Sequence, residues 1–168
     1  MNSVPAILVG TTDRTVWVRV EGKGSFLNST GLKDFAKEMT NRGYREFVMD
    51  LRNCPLMDST FMGTLTGIAL RLVELGQGTL RMINLNDRNR DLLTNLGLDQ
   101  FMSIESGSRE VLDHQTVQQV LPAEPEDKHS RAETMLEAHQ DLVQANPANE
   151  AKFKDVLEYL RQDLQVAR

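Results

Sequence analysis
The chain has 168 residues and a mass of 19.0 kDa, the size of one domain or of one domain with an appendage. Its 40% apolar and 26% charged content is that of a globular protein and excludes collagen, low-complexity polymers and wholesale disorder. The net charge of −5 and pI near 5.2 argue against a nucleic-acid partner, which normally demands a basic footprint.

The acidity is unevenly placed. Residues 1–104 carry 12 basic and 11 acidic side chains, residues 105–168 carry 7 and 13, so a balanced body precedes an acidic module. No run approaches the roughly 18 apolar residues of a membrane span. The opening Met-Asn-Ser-Val-Pro lacks the basic and apolar regions of a secretory signal. A single cysteine, Cys54, excludes an internal disulfide and points to a reducing compartment.

In chain order, Ala6–Gly10 is a short apolar run, and Thr15–Val20 alternates with Val16, Val18 and Val20 on one face. The two predict a β-hairpin. Asn28–Arg42 places Leu32, Phe35, Ala36 and Met39 at helical spacing, with Asn28 or Ser29 as the N-cap and Gly43 at the end. Glu46–Leu51 predicts a buried strand, and Pro55 keeps the following loop from being helical. A helix from Asp58 to about Leu75 turns Phe61, Leu65, Ile68, Ala69 and Leu72 inward. Thr79–Ile83 is a strand, Asn86 caps a third helix through Leu92, Leu93 and Leu96, and Phe101–Ile104 is a last short strand. Phe26, Phe35, Phe47, Phe61 and Phe101 are assigned to the core. The alternation predicts an α/β sandwich around a partly parallel sheet.

Beyond Glu105 the texture changes. Ser108–Leu121 reads as a Gln-rich helix, and Pro122–Asp127 as a linker. Ser130-Arg-Ala-Glu133 has capping-box form and starts a helix striped by Met135, Leu136, His139, Leu142 and Val143. Asn146-Pro147 opens a final helix lined by Phe153, Val156, Leu157, Leu160 and Leu164. The domain reading is therefore 1–120 body, 121–129 linker and 130–168 helical hairpin. Each stripe must be buried on the body, on its twin or on a second copy of the chain.

Enzymatic constellations are missing from the pattern. His114, His129 and His139 read as ordinary surface or helix-face residues, and no metal-ligand spacing occurs. Gly22-Lys-Gly24 and Gly76-Gln-Gly78 are too short for phosphate loops, and Cys54 reads as a quiet half-buried thiol. No cofactor, metal or nucleophile–base pair is expected. The stretch Met57-Asp58-Ser59-Thr60-Phe61-Met62-Gly63 is different. Asp58 can cap the second helix, leaving Ser59 and Thr60 exposed in its first turn beside the positive dipole end. As such it is also ordinary helix-starting chemistry.

This stretch, with Phe47-Val-Met-Asp50-Leu51 before it, Leu65 after Gly63, then Gly78-Thr-Leu80 and Leu92-Leu93-x-x-Leu96-Gly97-Leu98, resembles the STAS domain of the anti-sigma factor antagonist family over about residues 5–115. The resemblance implies a STAS-like mixed β-sheet packed with helices, followed here by a C-terminal α-helical hairpin. It implies a non-catalytic, cytoplasmic switch. Ser59 would be phosphorylated by a GHKL-type anti-sigma serine kinase, with Thr60 the alternative acceptor, and dephosphorylated by a PP2C-type phosphatase. Asp58, Thr60, Phe61, Met62 and Gly63 would form the partner-binding motif. Phe61 replaces the first motif glycine and adds bulk to the docking surface. Two other readings stay open: a scaffold or homodimer built through the C-terminal helices, and a soluble STAS subunit of a lipid or anion transport system.

Overall fold
The hairpin β1 (Ala6–Thr12) and β2 (Thr15–Glu21) forms as the alternation requires, closed by Asp13 in the left-handed region at φ 51°. Val16, Val18 and Val20 are fully buried. β3 (Glu46–Asp50) adds parallel to β2, β4 (Thr79–Ile83) parallel to β3, and β5 (Ser103–Ile104) parallel to β4. The order is β5-β4-β3-β2-β1-β6. β3 is central, so Phe47, Val48 and Met49 are buried in succession without alternation. The computed structural model describes residues 5–105, 119–121 and 126–166.

The helices are α1 (Phe26–Asn41), α2 (Ser59–Glu74), α3 (Asp87–Asn95), α4 (Lys128–Ala145) and α5 (Asn149–Val166). α2 joins the core through the expected face, with Phe61, Leu65, Ile68, Ala69 and Leu72 all buried. Two caps differ from the sequence reading. α1 is capped by Ser25, which accepts from the Leu27 amide while Asn28 bonds back to the Ser25 amide, so Asn28 completes the box instead of heading it. α4 starts earlier than Ser130, because Asp127 accepts from the Ser130 amide at 2.7 Å. A carboxylate capping a free amide out-competes the hydroxyl three residues on.

Gln119–Val120 forms β6, antiparallel to β1, where the C-terminal end of a helix was expected; two residues suffice because β1 offers an open edge. The rest of that expected helix, and the linker prolines, lie outside the described residues. Asn146 ends α4 and also caps the turn into α5 as expected, its side-chain oxygen accepting from the Ala148 amide at 3.2 Å. Phe26 is half-buried under the Arg131 guanidinium, 5.3 Å from the ring centroid, and does not join the core.

The hairpin buries itself in cis. α4 packs along α2 more extensively than any other pair of elements meets, and α5 packs on α4. The buried face of α4 is Ala132, Thr134, Ala138, His139 and Leu142. Met135, Leu136 and Val143 of the expected stripe are only half-buried. Small residues were counted for little in the sequence pattern, yet they let two helix backbones approach. A side chain at Gly63 would overlap the Ala138 carbonyl oxygen, and one at Gly67 would meet Asp141 Oδ2 at 2.6 Å. The far end is fastened by buried Asn149, whose side-chain amide donates to the carbonyls of Leu96 (3.0 Å) and Leu142 (2.9 Å).

Candidate functional site
The site is the start of α2. Asp58 sits there in extended conformation, and one carboxylate oxygen accepts from the Phe61 amide at 2.8 Å. Its other oxygen accepts from the Phe26 amide at 2.9 Å, at the start of α1. One side chain thus satisfies orphan amides of two helices and sets their relative position. The expected cap is present, with a second helix tied to it that local spacing did not announce.

Ser59 follows, but it is half-buried where the sequence reading has it exposed. Its Oγ lies 2.9 Å from His139 Nε2 on α4. His139 Nδ1 lies 2.7 Å from the Met135 carbonyl oxygen, which can only accept. Nδ1 therefore carries the proton, Nε2 presents its lone pair, and the Ser59 hydroxyl donates to it. His139 is 1% exposed, and burial pushes its pKa below the ordinary range, against the raising effects of the Met135 carbonyl and the Asp58 charge. The imidazole meets the edge of Phe153 of α5 at 5.1 Å.

One expectation is overturned here: a serine–imidazole pair does assemble, across 80 positions of sequence. Of the surface or helix-face alternatives, His139 takes the helix face, buried on the α4 stripe. A histidine on an apolar helix stripe was the available signal. His139 is enclosed within the α2–α4 contact while Ser59 keeps part of its surface open; a groove of about 420 Å³ nearby is lined by Lys33, Thr64, Arg71, Glu137 and Asp141 among others, and not by Ser59 or His139.

The remaining motif residues divide by face. Thr60 is 3% exposed, which removes it from the surface the sequence reading gave it as an alternative acceptor. Phe61 is fully buried, and its ring fills the space a side chain at Gly24 would occupy at 2.6 Å. The bulk that replaces the motif glycine points into the core and not onto a docking surface. Met62 and Gly63 are buried, Gly63 directly beneath α4. Cys54 is 1% exposed and its thiol donates toward the Leu56 carbonyl; burial raises its pKa, so it stays a thiol, more deeply set than expected.

Asp141, over Gly67, has its pKa raised from 3.8 to about 6 by burial and by Glu137 and Glu74, against the lowering effect of Lys33. The folded state therefore holds more protons than the unfolded one between pH 3.8 and about 6. Stability is lost as pH rises through that window. Asp141→Asn is expected to raise stability at pH 8 by about 1 kcal/mol, a value reduced for solvent screening, and to have no such effect near pH 4. Urea unfolding at the two pH values checks this. His139 acts in the opposite sense, its stabilisation being lost as pH falls below the ordinary 6.5.

The fold and the capped serine define a class: a mixed α/β domain with a hydroxyl at the head of its second helix. The STAS domain pattern matches residues 6–111, and the chain belongs to the STAS domain family. Structural likeness agrees. TM1081 of Thermotoga maritima, assigned as an anti-sigma factor antagonist, aligns at 19% identity and TM-score 0.55, over 60% of this chain and 86% of that one. The anti-sigma factor antagonist SpoIIAA in its unphosphorylated form aligns at 18% identity and TM-score 0.51, over 61% and 89%. The phosphorylated form of SpoIIAA, a Bacillus cell fate determinant, gives 19% identity and TM-score 0.51, over 61% and 93%. At these identities the likeness is one of fold. No curated protein matches the chain. Among the described residues no helix is long and apolar enough to cross a membrane.

Proposed function
We propose that the chain is a non-catalytic, cytoplasmic anti-sigma factor antagonist switched by phosphorylation of Ser59. The unmodified form binds a GHKL-type anti-sigma serine kinase, and a PP2C-type phosphatase restores it. The observation that carries the reading is Ser59 itself, next to the N-cap Asp58 at the head of α2 in a STAS domain. In the transfer, Oγ bonds to the terminal phosphorus of the kinase's ATP, the bond to ADP breaks, and the hydroxyl proton leaves. The product carries about −1.5 to −2 charges. The helix dipole tolerates that charge, while Asp58 and an apolar docking partner oppose it. The Ser59–His139 pair serves as a structural hydrogen bond in this reading, since its imidazole is enclosed by packed helices.

Incubation with ATP and a serine kinase encoded beside the chain's gene should add one phosphate, mapped by mass spectrometry to Ser59 and lost in Ser59→Ala. Ser59→Asp should bind that kinase at least about tenfold more weakly than Ser59→Ala, equivalent to about 1.4 kcal/mol. Equal affinities would refute the electrostatic account. One feature favours a second reading, self-association through α5: Val156 (38% exposed) and Tyr159 (66% exposed) lie one turn apart on its outer face. Sedimentation velocity separates the readings, because a monomer excludes it.

A further inference from the structure
We infer that the α4–α5 hairpin is an intramolecular occupant of the α2 face that carries Ser59, and that hairpin docking and a phosphate on Ser59 exclude one another. The inference rests on Ser59 being the modified residue. It adds that an outside partner must displace a segment of this same chain to reach it.

Three observations converge. The first is steric. Ser59 Oγ and His139 Nε2 are already at hydrogen-bond distance, 2.9 Å, so a phosphorus and three oxygens on Oγ in this orientation would collide with the imidazole. Below this contact the helices touch through Gly63 and Ala138, and through Gly67 and Asp141, so α4 cannot tilt inward to make room elsewhere.

The second is charge. The hairpin, 126–166, holds nine acidic and five basic side chains, and burial disfavours the charged form of His139. Asp58 stands beside the serine. A phosphate would find its favourable field at the start of α2 and repulsion on the α4 side.

The third is the make-up of the contact. The buried α4 face is Ala132, Thr134, Ala138, His139 and Leu142, with Leu142 its single large aliphatic side chain. The ties to α1 are polar, Thr30–Thr134 at 2.9 Å and Lys33–Glu137 at 3.1 Å. Such a surface seats by close backbone approach and hydrogen bonds more than by apolar volume, so losing the fit loses much of the attraction. Lifting this cover withdraws Leu142, with Ala145 and Phe153 beside it, from the core, while Phe61 and Leu65 stay packed against the sheet side.

The test installs phosphoserine at position 59 of the full chain by biosynthetic incorporation, so no kinase is involved. Hydrogen exchange of residues 128–145 is compared with that of β3, residues 46–50, as the fold control. The expected result is at least tenfold faster exchange in α4 with β3 unchanged, because an undocked helix of this length frays in water. A second measurement uses Gly67→Cys/Asp141→Cys. The Asp141 Cγ, whose place a sulfur would take, is 3.5 Å from the Cβ position of residue 67, close to disulfide geometry. Buried Cys54 does not compete. With oxidised glutathione the bond should form in the unmodified chain and at least tenfold more slowly in the phosphoserine chain. Unchanged or increased α4 protection, or equal oxidation rates, overturns the inference. Failure of any kinase to modify the chain would instead defeat the functional reading and leave both measurements standing.

Discussion

Phe61→Ala should lower stability by about 3–5 kcal/mol, the range for emptying a fully buried aromatic site. Phe61 is the second residue after Ser59 and has no exposed surface. Its ring lies against Gly24, where a Cβ would approach it to 2.6 Å. Gly24 also bonds the Leu56 carbonyl and receives the Asp58 amide at 2.9 Å. The loop before α1 and the loop before α2 are therefore pinned around one ring, and the cavity cannot collapse without moving both helix starts. Urea unfolding followed by circular dichroism measures the loss. A change under 1 kcal/mol would mean that the ring faces outward, as a partner-binding residue of the motif would.

Gly63→Ala should act in the opposite part of α2 and by the opposite means. On an isolated helix, alanine is worth about 1 kcal/mol over glycine. Here the added methyl would overlap the Ala138 carbonyl oxygen, with the carbonyl carbon at 2.6 Å and the Ala138 Cβ at 2.8 Å. Backbone cannot swing aside as a long side chain can, so α4 must shift as a body. Overpacking of this kind costs about 1–3 kcal/mol. The loss should fall on the hairpin: α4 amides exchange faster while β3 protection stays. A stabilised variant with α4 protection intact would show that α2 and α4 do not approach this closely.

The two variants sit two residues apart and separate the two faces of one helix. Spacing made the inner face legible, since Phe61, Leu65, Ile68, Ala69 and Leu72 recur with the helical period. The outer face was not legible. Gly63 and Gly67 carry no hydropathic signal and matter only because another backbone lies over them. The same holds on α4, where the stripe read from Met135, Leu136, His139, Leu142 and Val143 drew attention to large residues. The actual contact keeps His139 and Leu142 of that stripe and adds Ala132, Thr134 and Ala138. Close approach selects for smallness, which a count of apolar residues overlooks.

Histidine 139 marks the same divide. Its place on a helix stripe was visible, but its neutral tautomer, its burial and its bond to Ser59 depend on which helix lies opposite. Ser59 was singled out by its place after Asp58 and by the STAS resemblance of the frame around it. Its half-buried state was decided by a segment 80 positions away.

What the sequence determined alone is therefore what neighbours in the chain can decide among themselves: the strands and helices of the α/β body, the Asp58 cap, the hydroxyl that follows it, and an acidic two-helix appendage. Where that appendage lies, and hence that the hydroxyl is half-buried, follows from packing between distant segments. Local periodicity and capping arise from interactions within one or two turns. The docking of α4 on α2 is a match of surface shape between distant segments, and shape at that scale leaves no period in the sequence.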